Sequence, residues 1–294
     1  MYHYTTISFP GLGLEMNPPR VLELGPLTIH LYGLVIATGL ILAAIYGMKR
    51  AKQFGLTEDH VLDGVLCITP FAIICARAYY CIFSWPQYAD DPISVLYIWE
   101  GGLAIYGGVL GAALGILVFC RWKKISVGAV LDLVALGFLI GQAMGRWGNF
   151  FNREAFGGET MSFLRMGLYN TVTQTVEYHH PTFLYESLWN AAGFVMLHFA
   201  SKHRKYDGQI ALGYVAWYGL GRAWIEGLRT DSLYIGATGI RVSQVLAAAS
   251  CGAAVILLVY FWMKRPTPDK LFVNRVASEK RENDLKTEGE EDHG

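Results

Sequence analysis

Unbroken apolar stretches of about 20 residues, each about 30 Å long as a helix and so matched to the hydrocarbon thickness of a bilayer, constrain this chain more than any other feature. Seven recur, near 27–48, 61–83, 103–120, 127–145, 181–200, 210–228 and 240–263. Backbone groups inside lipid must be satisfied within the segment, and a helix does that. Composition agrees, at 53% hydrophobic and 16% charged with a mean hydropathy of +0.31. The expected fold class is all-α: a polytopic integral membrane protein of seven transmembrane helices.

Basic residues then orient the spans. Lys49, Arg50 and Lys52 follow the first, Arg121, Lys123 and Lys124 the third, Lys202, Arg204 and Lys205 the fifth, and Lys264 and Arg265 the seventh. The positive-inside rule makes these ends cytoplasmic, with the N-terminus outside and the C-terminus inside. The 84–102 connection has no Lys or Arg, consistent with an outer position. The 150–180 connection, too long for a simple turn, reads as a small extracytoplasmic head subdomain between helices 4 and 5.

Three regions follow: 1–26, 27–263 and 264–294. The first, with Pro10, Pro18 and Pro19 and no basic leader or small-residue cleavage site, is expected to be a retained extracytoplasmic segment lying at the interface. The second is the transmembrane domain. The third, with a dense charge run over 279–292, is expected to be a disordered cytoplasmic tail, having too little apolar surface to fold alone.

Lys and Arg total 24 against 24 for Asp and Glu, so the bulk charge leaves no nucleic-acid footprint. The five cysteines fall within or at the ends of apolar spans, without metal-ligand spacing, and read as packing residues. No nucleotide loop or metalloprotease motif is present, and no metal or cofactor is expected. Gly107, Gly111 and Gly115, and Gly137, Gly141 and Gly145, form four-residue ladders that let another helix backbone approach closely.

The polar residues crowd one side of the bundle. His30, Tyr32, Arg77, Tyr106, Arg146, Asn149, His180, Tyr185 and Glu186 all fall at outer parts of their spans. Tyr218, Arg222, Glu226 and Arg229 follow at spacings that share one helix face. Arg222 lies about six residues, roughly 9 Å, from the outer end, too deep to face lipid, so it should face a protein interior or wet cavity paired with Glu226. Asp63 and Asp132 lie toward the inner side. Guanidiniums at headgroup depth, with asparagine donors beside them, suit a phosphate, since arginine presents a donor fork to its oxygens. The phosphate at that depth is a phospholipid headgroup.

The run Gly145-Arg146-Trp147-Gly148-Asn149-Phe150-Phe151-Asn152-Arg153-Glu154 closely resembles the signature of the phosphatidylglycerol:prolipoprotein diacylglyceryl transferases, bacterial enzymes that begin lipoprotein maturation. His30-Leu31-Tyr32-Gly33 and the segment from Glu100 to Gly108 are similar to that family's first- and third-helix motifs. The segments from His180 to Glu186 and from Tyr218 through Arg222 to Glu226 match in order. The resemblance covers about 27–263 and implies transfer of the diacylglyceryl group of phosphatidylglycerol to the lipobox cysteine thiol of a prolipoprotein. A thioether forms and glycerol phosphate leaves. Partners are therefore phosphatidylglycerol, the prolipoprotein signal peptide with its lipobox cysteine, and the bacterial plasma membrane, with the active site toward the outer leaflet.

Carried over residue by residue, the resemblance gives Arg146 and Arg222 to the headgroup phosphate and its developing charge, and Glu226 to Arg222 as counter-ion. Asn149 becomes a headgroup donor and Glu154 an orienting partner for an arginine or the headgroup glycerol, while Gly157, Tyr32, Tyr218 and His30 join the lipid site. Tyr106 stands where some members of the family place a histidine proposed as the base. A phenol, with an ordinary pKa of about 10, is a poor base at neutral pH unless a cationic neighbour lowers it. Either Tyr106 is so tuned, or another group takes the proton, or the arginine field alone favours the thiolate.

Two other classes compete. A secondary transporter would place charge near the midplane and show paired repeats, whereas here the charges crowd one leaflet and seven spans do not halve. A lipid-binding protein without turnover fits the same phosphate site, and the full set of motifs argues for the enzyme.

Overall fold

The computed structural model of the chain describes residues 3–25, 27–229 and 241–291. Ile240, which opens the seventh expected span, Pro26 at the end of the expected N-terminal segment, and the charged end from Asp292 lie outside the described residues. In chain order the strands are β1 (Tyr4–Phe9), β2 (Leu14–Met16), β3 (Val21–Leu24), β4 (Leu27–His30), β5 (Met166–Asn170) and β6 (Thr175–His179). The helices are α1 (Leu31–Arg50), α2 (Glu58–Phe83), α3 (Ile105–Lys123), α4 (Val127–Asn152), α5 (Thr182–Ser201), α6 (Gln209–Ile225), α7 (Val242–Met263) and α8 (Phe272–Glu291).

The fold is mostly helical but not all-α. β1, β2, β5 and β6 make an antiparallel sheet in the order β2-β1-β5-β6, and β3 pairs with β4 as a hairpin. Strand β1 pairs with β5 at Ile7↔Leu168, and Ile7, Phe9, Met166 and Leu168 pack with Phe150 of α4 and Phe183 of α5. Threonine and isoleucine favour extended backbone, but the pairing partner lies far away in sequence, which is why the strands escaped the linear pattern. The hairpin also shortens the first helical window: Leu27 pairs with Leu24 and His30 with Val21, so the helix begins at Leu31.

Five helices are long and apolar enough to cross a membrane: Leu31–Phe54 with its terminal 3-10 turn, Glu58–Phe83, Ile105–Lys123, Val127–Asn152 and Ser243–Met263. The other two expected windows are also helical, but α6 has 17 residues, and α5 buries polar Glu186, Ser187 and Asn190.

The described residues divide into two compact units. The first comprises Met1–Ala43, Val134–Arg204 and Gln209–Pro266. Here Arg153 ties the N-terminal segment to the end of α4. It is buried and donates to the carbonyls of Thr5, Phe151 and Pro18 and to the Asn17 side chain, at 2.5 to 2.8 Å. Burial draws its pKa down to about 10. Trp189 of α5 and Trp217 of α6 stack at 4.3 Å, each indole N–H donating to the other's carbonyl at 3.0 Å. Gly221 and Gly193 make room for the two indoles.

The second unit comprises Ala44–Leu133, Lys205–Gly208 and Thr267–Gly294. Thr57 caps α2 through a reciprocal contact with His60, satisfying amides that open a helix. The glycine ladder of α3 packs on α2 as expected: a Cβ at Gly107 would stand 2.5 Å from the Cys75 carbonyl oxygen, and one at Gly111 would stand 2.5 Å from that of Phe71. The ladder of α4 is less uniform. Gly145 and Gly137 face Ile36 and Ala43 of α1, but a Cβ at Gly141 would meet nothing. Asp63 pairs with Lys123 at 2.6 Å, and Asp132 accepts the Gly208 N–H at 2.9 Å.

The tail departs from the disorder expected of it. It carries α8, whose first N–H donates to Asp207 at 3.0 Å, with Leu271 buried beside it. Its many Glu, Lys and Arg residues are strong helix formers, and composition alone had marked only their low apolar content.

Candidate active site

Four helical segments of the first unit supply the charged residues. The α4 ladder ends at Arg146 and Asn149, the opening turns of α5 hold Glu186, and the last turns of α6 hold Tyr218 and Arg222. A 3-10 turn, Glu226–Leu228, continues α6 and keeps Glu226 one turn beyond Arg222. Arg222 Nη2 reaches Glu226 Oε2 at 2.9 Å, the pairing expected from the spacing.

Glu186 is the centre of the group. Arg146 Nη2 lies 2.5 Å from its Oε2, while Arg222 Nη1 at 3.5 Å and Arg229 Nη1 at 3.3 Å share its Oε1. The two carboxylates are almost wholly buried, Glu186 at 5% and Glu226 at 3% exposure. The Arg146 and Arg222 side chains retain about a fifth of theirs, at 22% and 21%. Glu226 is fixed by Ser243, whose hydroxyl donates at 2.7 Å, and by Arg241, which donates to its carbonyl.

Such a group does little for stability, because desolvating charges offsets most of their attraction. It does focus positive potential: among the described residues, three guanidiniums of Arg146, Arg222 and Arg229 face two carboxylates. A small cavity beside them is lined by Glu186, Trp189, Asn190, Tyr218, Gly221, Arg222 and Ile225. Guanidinium N–H groups aimed at an oxyanion can hold a phosphate and stabilise charge growing on it.

The remaining expected residues each make contacts of their own. Asn149 accepts from Arg146 at 3.4 Å and donates to Glu154 at 3.1 Å. Glu154 was expected beside an arginine or the lipid glycerol; its Oε1 also accepts the Asn152 amide at 3.2 Å, so it orients asparagines. Tyr218 stacks on Tyr214 at 5.7 Å. The Tyr32 ring lies over Gly148, where a Cβ would stand 2.7 Å from it. Gly157 works through its backbone: its N–H donates to the His180 carbonyl at 2.9 Å, and a Cβ there would crowd His180 and the Leu228 carbonyl. His30 is exposed at the end of β4 rather than within a helix. His180 lies 3.4 Å from the Tyr185 hydroxyl, and burial lowers its pKa.

Tyr106 belongs to the second unit, at the second residue of α3, and is half exposed. Arg77, expected among the outer polar residues, has a separate structural task in that unit. Buried at 6% exposure, it donates to the carbonyls of Ser94, Val95, Tyr97, Gly101 and Gly102 at 2.7 to 3.3 Å. This holds the loop that leads into α3. Gly102 has φ +71°, and a Cβ there would stand 2.5 Å from Arg77 Nη1, so the motif requires glycine at that point.

Sequence reasoning placed Glu186 and Arg229 near the cluster without giving either a role, and missed Arg241 and Ser243. The one available signal was the spacing of Arg222 and Arg229, read as one helix face, although the helix ends before Arg229, which is extended and bridges to Gly157. Nothing linear links Glu186 to three arginines on two other segments.

A model of the prolipoprotein diacylglyceryl transferase family matches residues 19–260. A phosphatidylglycerol–prolipoprotein diacylglyceryl transferase of Limosilactobacillus reuteri is 42% identical over 258 residues, covering 85% of this chain and 92% of its own. A protein of the same name from Bacillus velezensis is 42% identical over 86% of this chain and 94% of its own. The one from Listeria welshimeri is 39% identical over 88% and 95%.

Proposed function

The chain belongs to the prolipoprotein diacylglyceryl transferase family, and from that membership we propose that its arginine cluster is the site at which phosphatidylglycerol gives up its diacylglyceryl group. The chain is a transferase of bacterial lipoprotein biosynthesis, moving the diacylglyceryl group of phosphatidylglycerol to a prolipoprotein. The observation that carries the site is the convergence of Arg146, Arg222 and Arg229 on buried Glu186 beside a cavity.

In the proposed reaction the lipobox cysteine sulfur attacks the glycerol carbon that bears the phosphate. A carbon–sulfur bond forms, the carbon–oxygen bond breaks, and its electron pair leaves with the phosphate as glycerol phosphate. Arg146 and Arg222 stabilise the charge that grows on that phosphate, with Glu226 holding Arg222 and Asn149, oriented by Glu154, donating to the headgroup. Tyr32, Tyr218 and His30 border the lipid, and Gly157 holds the backbone that shapes the site. The thiol proton has three routes: to Tyr106, to another group, or to water under the arginine field, which favours the thiolate.

The proposed setting is the bacterial plasma membrane. α5 and α6 complete seven spans, the N-terminus and the 150–180 head lie outside, the 264–294 segment lies in the cytoplasm, and the arginines sit toward the outer leaflet. The basic ends after the first, third, fifth and seventh spans support this orientation. An engineered Gly158→Cys should react with an impermeant thiol reagent from outside; labelling only after lysis would reverse the topology.

The direct test is purified protein in detergent with phosphatidylglycerol and a lipobox peptide, following thioether-linked diacylglyceryl and released glycerol phosphate together. Equal amounts of both, lost when the peptide cysteine becomes serine, are expected. Lipid binding without either product, with a peptide active on a homologue, would leave a lipid-binding role alone.

A further inference from the structure

The arginines at the site are organised around a carboxylate that the proposed reaction does not consume. Glu186 lies within the first two turns of α5, 5% exposed, and both of its oxygens are occupied. The Arg146 contact, at 2.5 Å, is the shortest of its three ion pairs. The Arg222 and Arg229 contacts, at 3.5 and 3.3 Å, are long for such bonds, which ordinarily run about 2.7–2.9 Å. Glu186 therefore draws three guanidiniums toward one point. Arg222 is drawn two ways, with one nitrogen 2.9 Å from Glu226 Oε2 and the other 3.5 Å from Glu186 Oε1.

A phosphate oxygen has the same charge and acceptor chemistry as a carboxylate oxygen. We propose that Glu186 is a positioning residue that stands in for the lipid phosphate, keeping Arg146 and Arg222 converged when the site is empty and ceding part of their hydrogen bonding when a phosphate monoester or diester enters. This rests on the transferase reading of the same site.

Two opposite effects of one charge follow. The Glu186 carboxylate competes with the phosphate for the same donors, so it weakens phosphate binding. It also holds those donors in place before the reaction, so it raises the rate, because stabilisation in the transition state counts most when no reorganisation is required. A carboxylate that merely braced the helices would, on removal, weaken binding and turnover together.

The test uses the full-length protein in detergent, with Glu186→Gln and Glu186→Asp beside the wild type. Glycerol phosphate binding is measured calorimetrically, and kcat and KM for phosphatidylglycerol are measured separately. For Glu186→Gln, glycerol phosphate should bind about tenfold more tightly and kcat should fall at least about tenfold, the scale of one charged hydrogen bond. Glu186→Asp keeps the charge but withdraws it, so affinity should stay within about twofold while kcat falls. Unchanged or weaker binding by Glu186→Gln, or an unchanged kcat in either variant, overturns the proposal. Should Glu186→Gln fail to fold, the Glu186→Asp split between affinity and kcat decides alone. If the wild type binds glycerol phosphate but transfers nothing, the transferase reading fails while the binding comparison still judges the competition.

Discussion

Glu186 of α5 and Arg146 of α4 meet at 2.5 Å with the carboxylate almost entirely buried. That contact joins the signature run at the end of α4 to Arg222 of α6 and to Arg229 just beyond it. Removing a guanidinium from such a site leaves buried carboxylate charge and takes away donors aimed at a developing oxyanion.

Arg146→Ala and Arg222→Ala are each expected to lower transfer by at least about 10²-fold while the protein still inserts. Initial rates on detergent-purified variants, with membrane fractionation as the control, check this. Near-normal turnover by either variant would remove it from the phosphate site.

Tyr106→Phe separates the routes for the thiol proton. A phenol, with an ordinary pKa of about 10, is a poor base at neutral pH, so transfer is expected to stay within about tenfold of wild type, the effect of one lost hydrogen bond. An essential base would cost about 10²–10⁴-fold. A loss of that size, with lipid KM unchanged, would make the phenol the base.

Arg77→Ala should loosen the loop before α3. Five carbonyls of half-buried or exposed residues lose their donor, each hydrogen bond being worth about 0.5–1.5 kcal/mol. Faster proteolysis within the 94–102 segment and a lowered Tm are the expected signs. Wild-type cleavage there would show that the loop is held by other contacts.

Gly111→Val tests the helix contact directly. A Cβ there would stand 2.5 Å from the Phe71 carbonyl oxygen and 2.6 Å from the Cys75 Cβ, so α2 and α3 must separate, at a cost of about 1–3 kcal/mol. Thermal unfolding in detergent should show a lower Tm, whereas Gly141→Val, facing open space on its Cβ side, should change it less. Equal effects would contradict the packing described.

Acid should weaken the sheet through Glu177. The Asn170 amide and the Tyr4 hydroxyl, at 2.7 and 2.8 Å, hold its carboxyl below the usual carboxylate range. Tyr4, pushed up to about 12 by burial and by that carboxylate, stays a donor throughout. Because the folded pKa is depressed, the contribution is complete above the unfolded value of about 4.3 and disappears as pH falls through the folded one. Tm measured from pH 6 down to 3 should fall more steeply for wild type than for Glu177→Gln. Parallel curves would mean that Glu177 does not set the acid sensitivity.

The sequence by itself determined the helical segments, because their apolar runs are local properties of length and composition. It also determined the α6 face that pairs Arg222 with Glu226, since both lie on one helix at a spacing its period brings together. The α3 ladder was legible for the same reason. The tertiary structure decided what depends on residues distant in the chain. It built a sheet from β1 and β5, in stretches the sequence marked only as an interfacial segment and a small head subdomain, and turned Arg77 inward to brace a loop. It made Glu186 the shared acceptor of arginines from separate segments. Periodicity reports which face a side chain occupies, whereas ion pairs between segments depend on how those faces pack, and packing is fixed only when the whole unit folds.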